Sequence, residues 1–325
     1  MDRLTATDLA ELSALCPGGV WRDVDLSAIS HWRIGGRADL VLQPGSTEEV
    51  AALLRWFAKK DIKPLVIGLT TNLLFDDAGL RVPCIQISPR MGQVCIDGTD
   101  VHADAGIWVP ALARRLMQAG LGGAEHICGI PGTLGGLICM NGGSQRKGIG
   151  SNILSVDSVD ATGTVRRRDA VDCGFAYRQS VFQTNGEIIT AARMRFELRP
   201  RAEIRAEMRA ILADRRRKFP RKEPNCGSVF KSNPAMYDEV GPPGAAIERL
   251  GFKGRREGGA LVSYRHANFI VNTGNAQARE VLALIRRITE AVHAETGFRL
   301  EAEASFVNAN GKISPADMVA QSFGE

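Results

Sequence analysis

The segment Gly129-Ile-Pro-Gly-Thr-Leu-Gly-Gly136, continuing to Met140-Asn-Gly-Gly143, has six glycines among fifteen residues. Glycine lets backbone approach a ligand closely or take φ > 0. Pro131 stiffens the turn, and Thr133 is placed to cap a short helix. A helix N-terminus with free N–H groups suits a diphosphate. The pattern is not Gly-x-Gly-x-x-Gly after a strand, so a nicotinamide Rossmann site is not indicated. A glycine-rich packing turn is the plainer reading. A second such place is Ile67-Gly-Leu-Thr-Thr-Asn-Leu-Leu74. There, N–H groups and Thr hydroxyls in a turn after a strand can bind phosphate oxygens, although an ordinary turn has the same look. No Gly-Lys-Ser/Thr follows, so it is not a Walker loop.

Three further stretches put polar chemistry in structural surroundings. Tyr177-Arg-Gln-Ser-Val-Phe182 sets an Arg beside a Tyr. Asn225-Cys-Gly-Ser-Val-Phe-Lys231 offers a hydroxyl in a tight turn. Glu301-Ala-Glu303 aims two carboxylates to one side of a strand. Each alone reads as a solvated face. The cluster Arg215-Arg-Arg-Lys218, with Arg221 and Lys222 beyond it, supplies much of the net charge of +5. It reads equally as a helix end or an anion site, and no nucleic-acid motif accompanies it. The seven cysteines (16, 84, 95, 128, 139, 173, 226) are scattered and form no Cys-x-x-Cys and no zinc spacing. They read as reduced cytosolic thiols, with no metal site expected.

The elements that must position these residues follow from patterning. At 325 residues, with 44% hydrophobic and 24% charged content, the chain suits two or three globular domains. Aromatics at 6% do not favour recognition by stacked rings. A signal pattern and a membrane span are both missing, which points to the cytoplasm. A helix is expected after Thr7 as cap, through Leu9, Leu12 and Leu15. Ser46-Thr-Glu-Glu opens an amphipathic helix to about Lys60 as a capping box, between strands 38–43 and 64–67. Strands at 84–87, 94–96 and 101–103 precede a helix at 107–119. Strands 153–160 and 163–168 form a hairpin, and 188–198 is a longer strand. The charged stretch 199–222 reads as a helix of about 17 residues and as the best linker. A helix near 245–250, strands near 260–262 and 268–272, a helix at 276–294 and a strand at 300–307 complete the chain, with 234–244 as a flexible loop.

Taken in order, the motifs resemble one family, the UDP-N-acetylenolpyruvoylglucosamine reductases (UDP-N-acetylmuramate dehydrogenases) of peptidoglycan synthesis, in its compact subtype. They are His31-Trp-Arg-Ile-Gly-Gly36, Gly68–Leu74, Gly129–Asn141, Tyr177–Phe182, Cys226–Lys231, Gly258–Asn272 and Leu300-Glu-Ala-Glu303. The resemblance implies an α+β fold: a two-lobed FAD-binding domain of the vanillyl-alcohol-oxidase (PCMH) type plus a C-terminal α+β substrate-binding domain. The division expected is 1–80 and 81–200 for the two FAD lobes and 201–325 for the substrate domain. It implies FAD as cofactor, held by Gly68, Thr70, Thr71, Asn72, Leu73, Gly129, Ile130, Pro131, Gly132, Thr133, Gly135, Gly136 and Asn141. NADPH reduces the flavin, a UDP-sugar is the substrate, and no nucleic acid, membrane or second subunit is implied.

The resemblance also implies roles. Ser228 is the proton donor to C2 of the enolpyruvyl group, while Arg178 and Glu303 act on the substrate carboxylate and enolate. Tyr177, Lys218 and Asn233 bind substrate, the last two at its diphosphate. The chemistry fits, because an enolate needs positive charge and hydrogen bonds where negative charge develops. Glu303 helps only as the neutral acid or through a bound water. The chain departs from the family at Thr70, at Gly142–Gly148 and at Ser305. Those departures leave open a paralogous FAD-dependent oxidoreductase acting on another nucleotide-sugar or enol-type substrate. They also leave open covalent flavin attachment through His126, Cys128 or Cys139.

Overall fold

A computed structural model describes residues 4–322; the outermost residues of the expected division, 1–3 and 323–325, lie outside the described residues. The chain forms two compact units, and neither is continuous in sequence. One unit collects Met1–Arg22, Leu40–Leu69 and Pro83–Arg215, and the other Asp23–Asp39, Thr70–Val82 and Arg216–Glu325.

The first unit is built on a five-stranded antiparallel sheet in the order Val165–Asp169, Ile153–Val159, Ile188–Arg195, Asp100–Asp104, Val94–Asp97. A parallel set lies beside it in the chain, with Leu65–Ile67 and Val41–Leu42 both paired to Cys84–Gln86. The helix expected from Ser46 runs Thr47–Lys59, and the Ser46 hydroxyl accepts from Glu49 N–H at 3.2 Å. Its apolar face, with Val50, Leu53, Leu54 and Phe57, is buried. Arg55 on the same helix donates to the Gly163 carbonyl at 2.8 Å. Gly163 has φ +79°, and a Cβ there would meet the Ala51 carbonyl oxygen at 2.5 Å. Only glycine fits this hairpin turn, for both reasons at once.

One expectation changes in this unit. The first helix is Ala6–Leu15 and its cap is Thr5, not Thr7. Thr5 wins because Asp8 completes a capping box with it, Asp8 N–H donating to Thr5 Oγ1 at 3.2 Å and Thr5 N–H to Asp8 Oδ2 at 2.7 Å. The charged stretch is the helix Arg201–Lys218, as expected, and the border between the two units falls within it, at Arg215 and Arg216. Ile204 and Ile211 are buried, and Met208 and Leu212 pack on the core. Arg199 at its start donates to the buried Glu125 at 2.8 Å and to Glu207 at 3.0 Å.

The second unit pairs a three-stranded sheet (Arg256–Glu257, Ala260–Val262, Ile270–Asn272) with the helix Ala278–Thr296. Val281, Leu282, Leu284, Ile285, Ile288 and Val292 of that helix are buried. Asp77 accepts from Ala278 N–H through both carboxylate oxygens, each at 3.0 Å. A second sheet runs Ile313–Pro315, Ser305–Val307, Leu73–Phe75, the last pair parallel. The strand expected over 300–307 therefore holds its ladder only at Ser305–Val307. Residues 301–303 bond instead to 229–231, Lys231 N–H donating to the Glu301 carbonyl and Glu303 N–H to the Val229 carbonyl. The stretch expected as a flexible loop, 234–244, carries a turn of 3-10 helix at Pro234–Met236 and the start of the helix Pro243–Arg249. Met236 and Val240 are buried, which anchors it. Among the described residues no helix is long and apolar enough to cross a membrane.

The Asp8 carboxylate tests the first helix. The Lys60 ammonium at 2.6 Å and the Thr5 donors hold its pKa down at about 2. A group whose folded pKa lies below its ordinary value of about 3.9 contributes stability above that value and loses it as pH falls through the folded pKa. Asp8→Asn is expected to lower Tm near neutral pH, with the deficit shrinking between pH 4 and pH 2. A deficit independent of pH in thermal melts would refute the ion pair as its source.

Candidate functional site

The glycine-rich loop lies in the first unit. Thr133 caps the helix Leu134–Cys139, accepting from Gly136 N–H at 3.3 Å. The other first-turn donors are already engaged: Leu134 N–H donates to the Ile107 carbonyl at 3.0 Å and Gly135 N–H to the Ala105 carbonyl at 2.8 Å. The expectation of a free helix N-terminus is thereby corrected. The short helix is stitched to strand-end carbonyls, and the donors left for an anion are the N–H groups of Gly132 and Thr133 ahead of it. Gly132 takes φ +135°. Gly129 packs close enough to Arg215 that a Cβ would meet Arg215 Cδ at 2.6 Å, Ile130 is half-buried, and Pro131 is exposed.

Gly68 belongs to the same unit, and the fold brings it to this loop. A Cβ on Gly68 would lie 2.7 Å from Thr133 Oγ1. The Gly68 carbonyl is held by Gln86 Nε2 at 3.2 Å, and Gln86 Oε1 accepts in turn from Gln43. Two stretches 65 residues apart in sequence thus form one cradle, in which the Thr133 side chain packs against the bare backbone of Gly68. An FAD diphosphate fits such a cradle, which offers backbone donors and excludes bulk.

Thr70, Thr71, Asn72 and Leu73 belong to the second unit. Thr70 takes φ +56°, the conformation that glycine adopts without cost. For a β-branched residue this costs on the order of 1–3 kcal/mol. Its hydroxyl offsets part of that, accepting from His31 N–H at 3.2 Å and donating to the Ile29 carbonyl at 3.3 Å. The loop therefore holds a β-branched residue in the left-handed conformation that favours glycine. Asn72 Nδ2 donates to the Glu303 carbonyl at 3.2 Å, and Ser305 N–H to the Asn72 carbonyl at 3.0 Å. Leu73 opens the strand beside Ser305.

Tyr177 and Arg178 sit at the tip of a tight hairpin closed by reciprocal bonds between Ala176 and Gln179. Arg178 has φ +55°, and its guanidinium lies over the exposed Tyr177 ring, 5.9 Å from the centroid. Ser180 Oγ donates to the Cys139 carbonyl at 2.7 Å, tying the hairpin to the end of the glycine-loop helix. Asn141 spends its amide on structure. Its Nδ2 donates to the Ala176 carbonyl and its Oδ1 accepts from Gly150 N–H, both at 2.9 Å. The divergent segment 143–147 closes on itself, with Gln145 and Arg146 at φ +56° and +62°. Ser144 Oγ donates to the His126 carbonyl at 2.5 Å.

In the second unit Ser228 and Glu303 lie on adjoining segments, since Glu303 N–H donates to the Val229 carbonyl at 2.8 Å. Ser228 follows Gly227 (φ +84°), and the turn is organised by Asn225. Asn225 Oδ1 accepts from Gly227 N–H at 2.8 Å, while Nδ2 donates to the Pro220 and Glu223 carbonyls. On the far side, Val229 N–H and Phe230 N–H donate to the Asn268 carbonyl and Oδ1. Cys226 is buried, and burial with the Glu303 charge pushes its thiol pKa up. Lys218 is exposed and close enough to the half-buried His266 to lower its pKa, after burial and Lys253. Asn233 accepts from Ala235 N–H at 3.1 Å as the cap of its short turn.

Sequence reasoning missed the residues that hold these loops: Gln86, Asn225, Asn268, Asn272 and the bonding role of His31. The buried asparagines were a usable signal, because a buried amide must be hydrogen-bonded. Among the residues weighed for covalent attachment, Cys128 and Cys139 are pushed up to about 11 by burial, so neither is a thiolate at neutral pH. His126 is 2% exposed with neither ring nitrogen partnered among the described residues. Burial, reinforced by Lys147, lowers its pKa to about 4.

The Gly68–Thr133 contact gives a direct test. Gly68→Ala is expected to push the two loops apart and weaken FAD binding by roughly tenfold, about the 1–3 kcal/mol of an overpacking substitution. Fluorescence titration of the apoprotein measures it, and unchanged affinity would remove Gly68 from the cradle.

Comparison with known proteins agrees with this geometry. The FAD binding domain family profile matches residues 38–169, and the profile of the UDP-N-acetylenolpyruvoylglucosamine reductase C-terminal domain matches residues 219–307. UDP-N-acetylenolpyruvoylglucosamine reductase 1 of Corynebacterium glutamicum is 41% identical over 298 residues, covering 92% of this chain and 89% of its own length. The enzyme from Synechococcus sp. (strain RCC307) is 39% identical over 87% of this chain and 92% of its own. The crystal structure of UDP-N-acetylenolpyruvylglucosamine reductase from Thermus caldophilus superposes with a TM-score of 0.75 at 30% identity, over 88% of this chain and 98% of that one. The fold is thus α+β, an FAD-binding domain followed by the family's C-terminal domain. The chain belongs to the UDP-N-acetylenolpyruvoylglucosamine reductase family.

Proposed function

We propose that this chain catalyses the FAD-dependent, NADPH-linked reduction of UDP-N-acetylglucosamine enolpyruvate to UDP-N-acetylmuramate in peptidoglycan synthesis. The observation that carries the reading is local to the second unit: the Ser228 turn and Glu303 are joined through the Val229 carbonyl. A hydroxyl and a carboxyl on neighbouring segments suit protonation of an enol next to a carboxylate. When bound, FAD supplies to the enolpyruvyl C3 the hydride that it draws from NADPH. Gly68, Gly132 and Thr133 hold the FAD diphosphate in this reading, with Thr70–Leu73, Gly129–Pro131, Gly135 and Gly136 shaping its loops.

Ser228 gives its proton to C2 of the substrate. A serine is a weak acid, and the basicity of the enol carbon drives the transfer. Arg178 offers a fixed cationic fork to the carboxylate and to the charge that develops beside it. Glu303 acts as the neutral acid or through a water, because an ionised carboxylate would repel the enolate. Tyr177, Lys218 and Asn233 bind the UDP-sugar. The assignment of 1–80 and 81–200 to the flavin and 201–325 to the substrate belongs to the same reading, as do a cytoplasmic location and a monomeric state. The similarity of the whole chain to named reductases favours this substrate over a paralogue's.

The decisive assay is NADPH oxidation by the purified flavoprotein, dependent on UDP-N-acetylglucosamine enolpyruvate. Flavin reduced by NADPH but not reoxidised by that compound would sink the substrate assignment. In stopped flow, Ser228→Ala is expected to leave flavin reduction within about threefold and to slow reoxidation by roughly 10²–10⁴, the range of lost general-acid catalysis. Glu303→Gln keeps the neutral hydrogen-bonding shape, so it should remove the alkaline fall in reoxidation rate. A pH–rate profile identical to that of the unaltered protein would exclude Glu303 from the proton chemistry.

A further inference from the structure

One residue outside the assigned set is bonded both to the loop that holds Thr70 and to the turn that carries Ser228. His31 N–H donates to Thr70 Oγ1 at 3.2 Å, and His31 Nδ1 lies 2.5 Å from the Asn225 carbonyl oxygen. A carbonyl only accepts, so Nδ1 carries the proton, and Nε2 keeps the lone pair in the neutral ring. The backbone of His31 is itself held. Trp32 is fully buried and its Nε1 donates to the Ile270 carbonyl at 2.9 Å. Asn272 Nδ2 donates to the Trp32 and Arg33 carbonyls, both at 3.1 Å. The imidazole is thus a strut with a fixed base.

The Ser228 turn needs such a strut. A Cβ added at Gly227 would meet nothing within 4 Å, so the turn gains no packing there. Its fixed points are Asn225 on one side and Val229, bonded to Asn268 and Glu303, on the other. The Asn225 side chain is consumed within the turn, by Gly227, Pro220 and Glu223. Asn225 pairs by backbone with Val271, and His31 grips its carbonyl.

We propose that His31 is a positioning residue for proton transfer: its Nδ1–H clamps the Asn225 carbonyl and so sets the Ser228 hydroxyl relative to the Thr70–Asn72 loop. This rests on the reading of Ser228 as proton donor. The clamp acts on the protonation half of the reaction and not on flavin reduction. Displacement of a reacting group by about 1 Å costs on the order of 10²-fold in rate, which is the scale of effect expected from its loss.

The test uses three variants. His31→Ala removes the clamp, and His31→Phe removes the donor while keeping the ring's bulk. His31→Asn places an amide donor where Nδ1 stood. Hydrogen–deuterium exchange in the apoprotein should rise about fivefold to tenfold over residues 225–229 in His31→Ala and His31→Phe, the effect of one lost hydrogen bond. It should return toward the original rate in His31→Asn. In the flavoprotein, reoxidation by the enolpyruvyl substrate should fall roughly 10- to 100-fold in the first two variants, with reduction by NADPH unchanged and His31→Asn restored. Unchanged exchange in both donor-less variants overturns the proposal, and so does equal slowing of both half-reactions. Should the unaltered protein fail to be reoxidised by that substrate, the proposed activity fails, while the exchange measurement still decides whether the clamp exists.

Discussion

The Asn272 amide is the bond on which the second unit most depends. Its Nδ2 holds the carbonyls of Trp32 and Arg33, while its Oδ1 accepts from Gly274 and Ala276 N–H just ahead of the long helix. The first of these contacts spans 240 residues of sequence. Trp32 returns the tie through its indole N–H to Ile270. Buried polar groups of this kind are costly unless every valence is met, and here they are met by the segments that must be brought together. Residues 23–39 and 70–82 reach the C-terminal sheet and helix through such bonds, so loops distant in the chain are assembled on one support.

The candidate residues share a second feature. Thr70, Asn141 and Arg178 all take φ between 40° and 56° without being glycine. Strained backbone persists where surrounding bonds over-determine it, and it gathers at functional sites. Each case has its bond here: Thr70 to residues 29 and 31, Asn141 to residues 150 and 176, and the Arg178 carbonyl to Gln183. Gly68 and Thr133 show the opposite economy. There the absence of a side chain allows two loops to touch, and the hydroxyl that a Cβ would strike is the one capping the glycine-loop helix.

Much of the fold was legible because local rules and burial agreed. The Ser46 cap, the apolar face of Ala278–Thr296 and the Gly163 hairpin each follow from short-range pattern, although Glu49 accepts from Gly45 N–H and so does not close a full capping box. The charged helix Arg201–Lys218 was legible as well, although its two buried isoleucines carry little periodic signal. Met236 with Val240 gave a turn-rich loop an anchor visible only once folded. The cap moved from Thr7 to Thr5 because the side-chain partner Asp8 sits three residues after Thr5.

Residue types and their spacing already carry the chemistry on offer: glycine-rich loops for a diphosphate, a serine in a turn, an arginine beside a tyrosine, a carboxylate near the end of the chain, and the order of motifs that marks the family. Those are properties of residue type and spacing, which the chain carries unfolded. Folding settles which donors remain free in the glycine loop, that Gly68 abuts Thr133, that Asn141 serves its neighbours, and that His31 grips the Ser228 turn. Each depends on where hydrogen bonds close between segments far apart in sequence, and no local pattern encodes which buried carbonyl an amide or imidazole will meet.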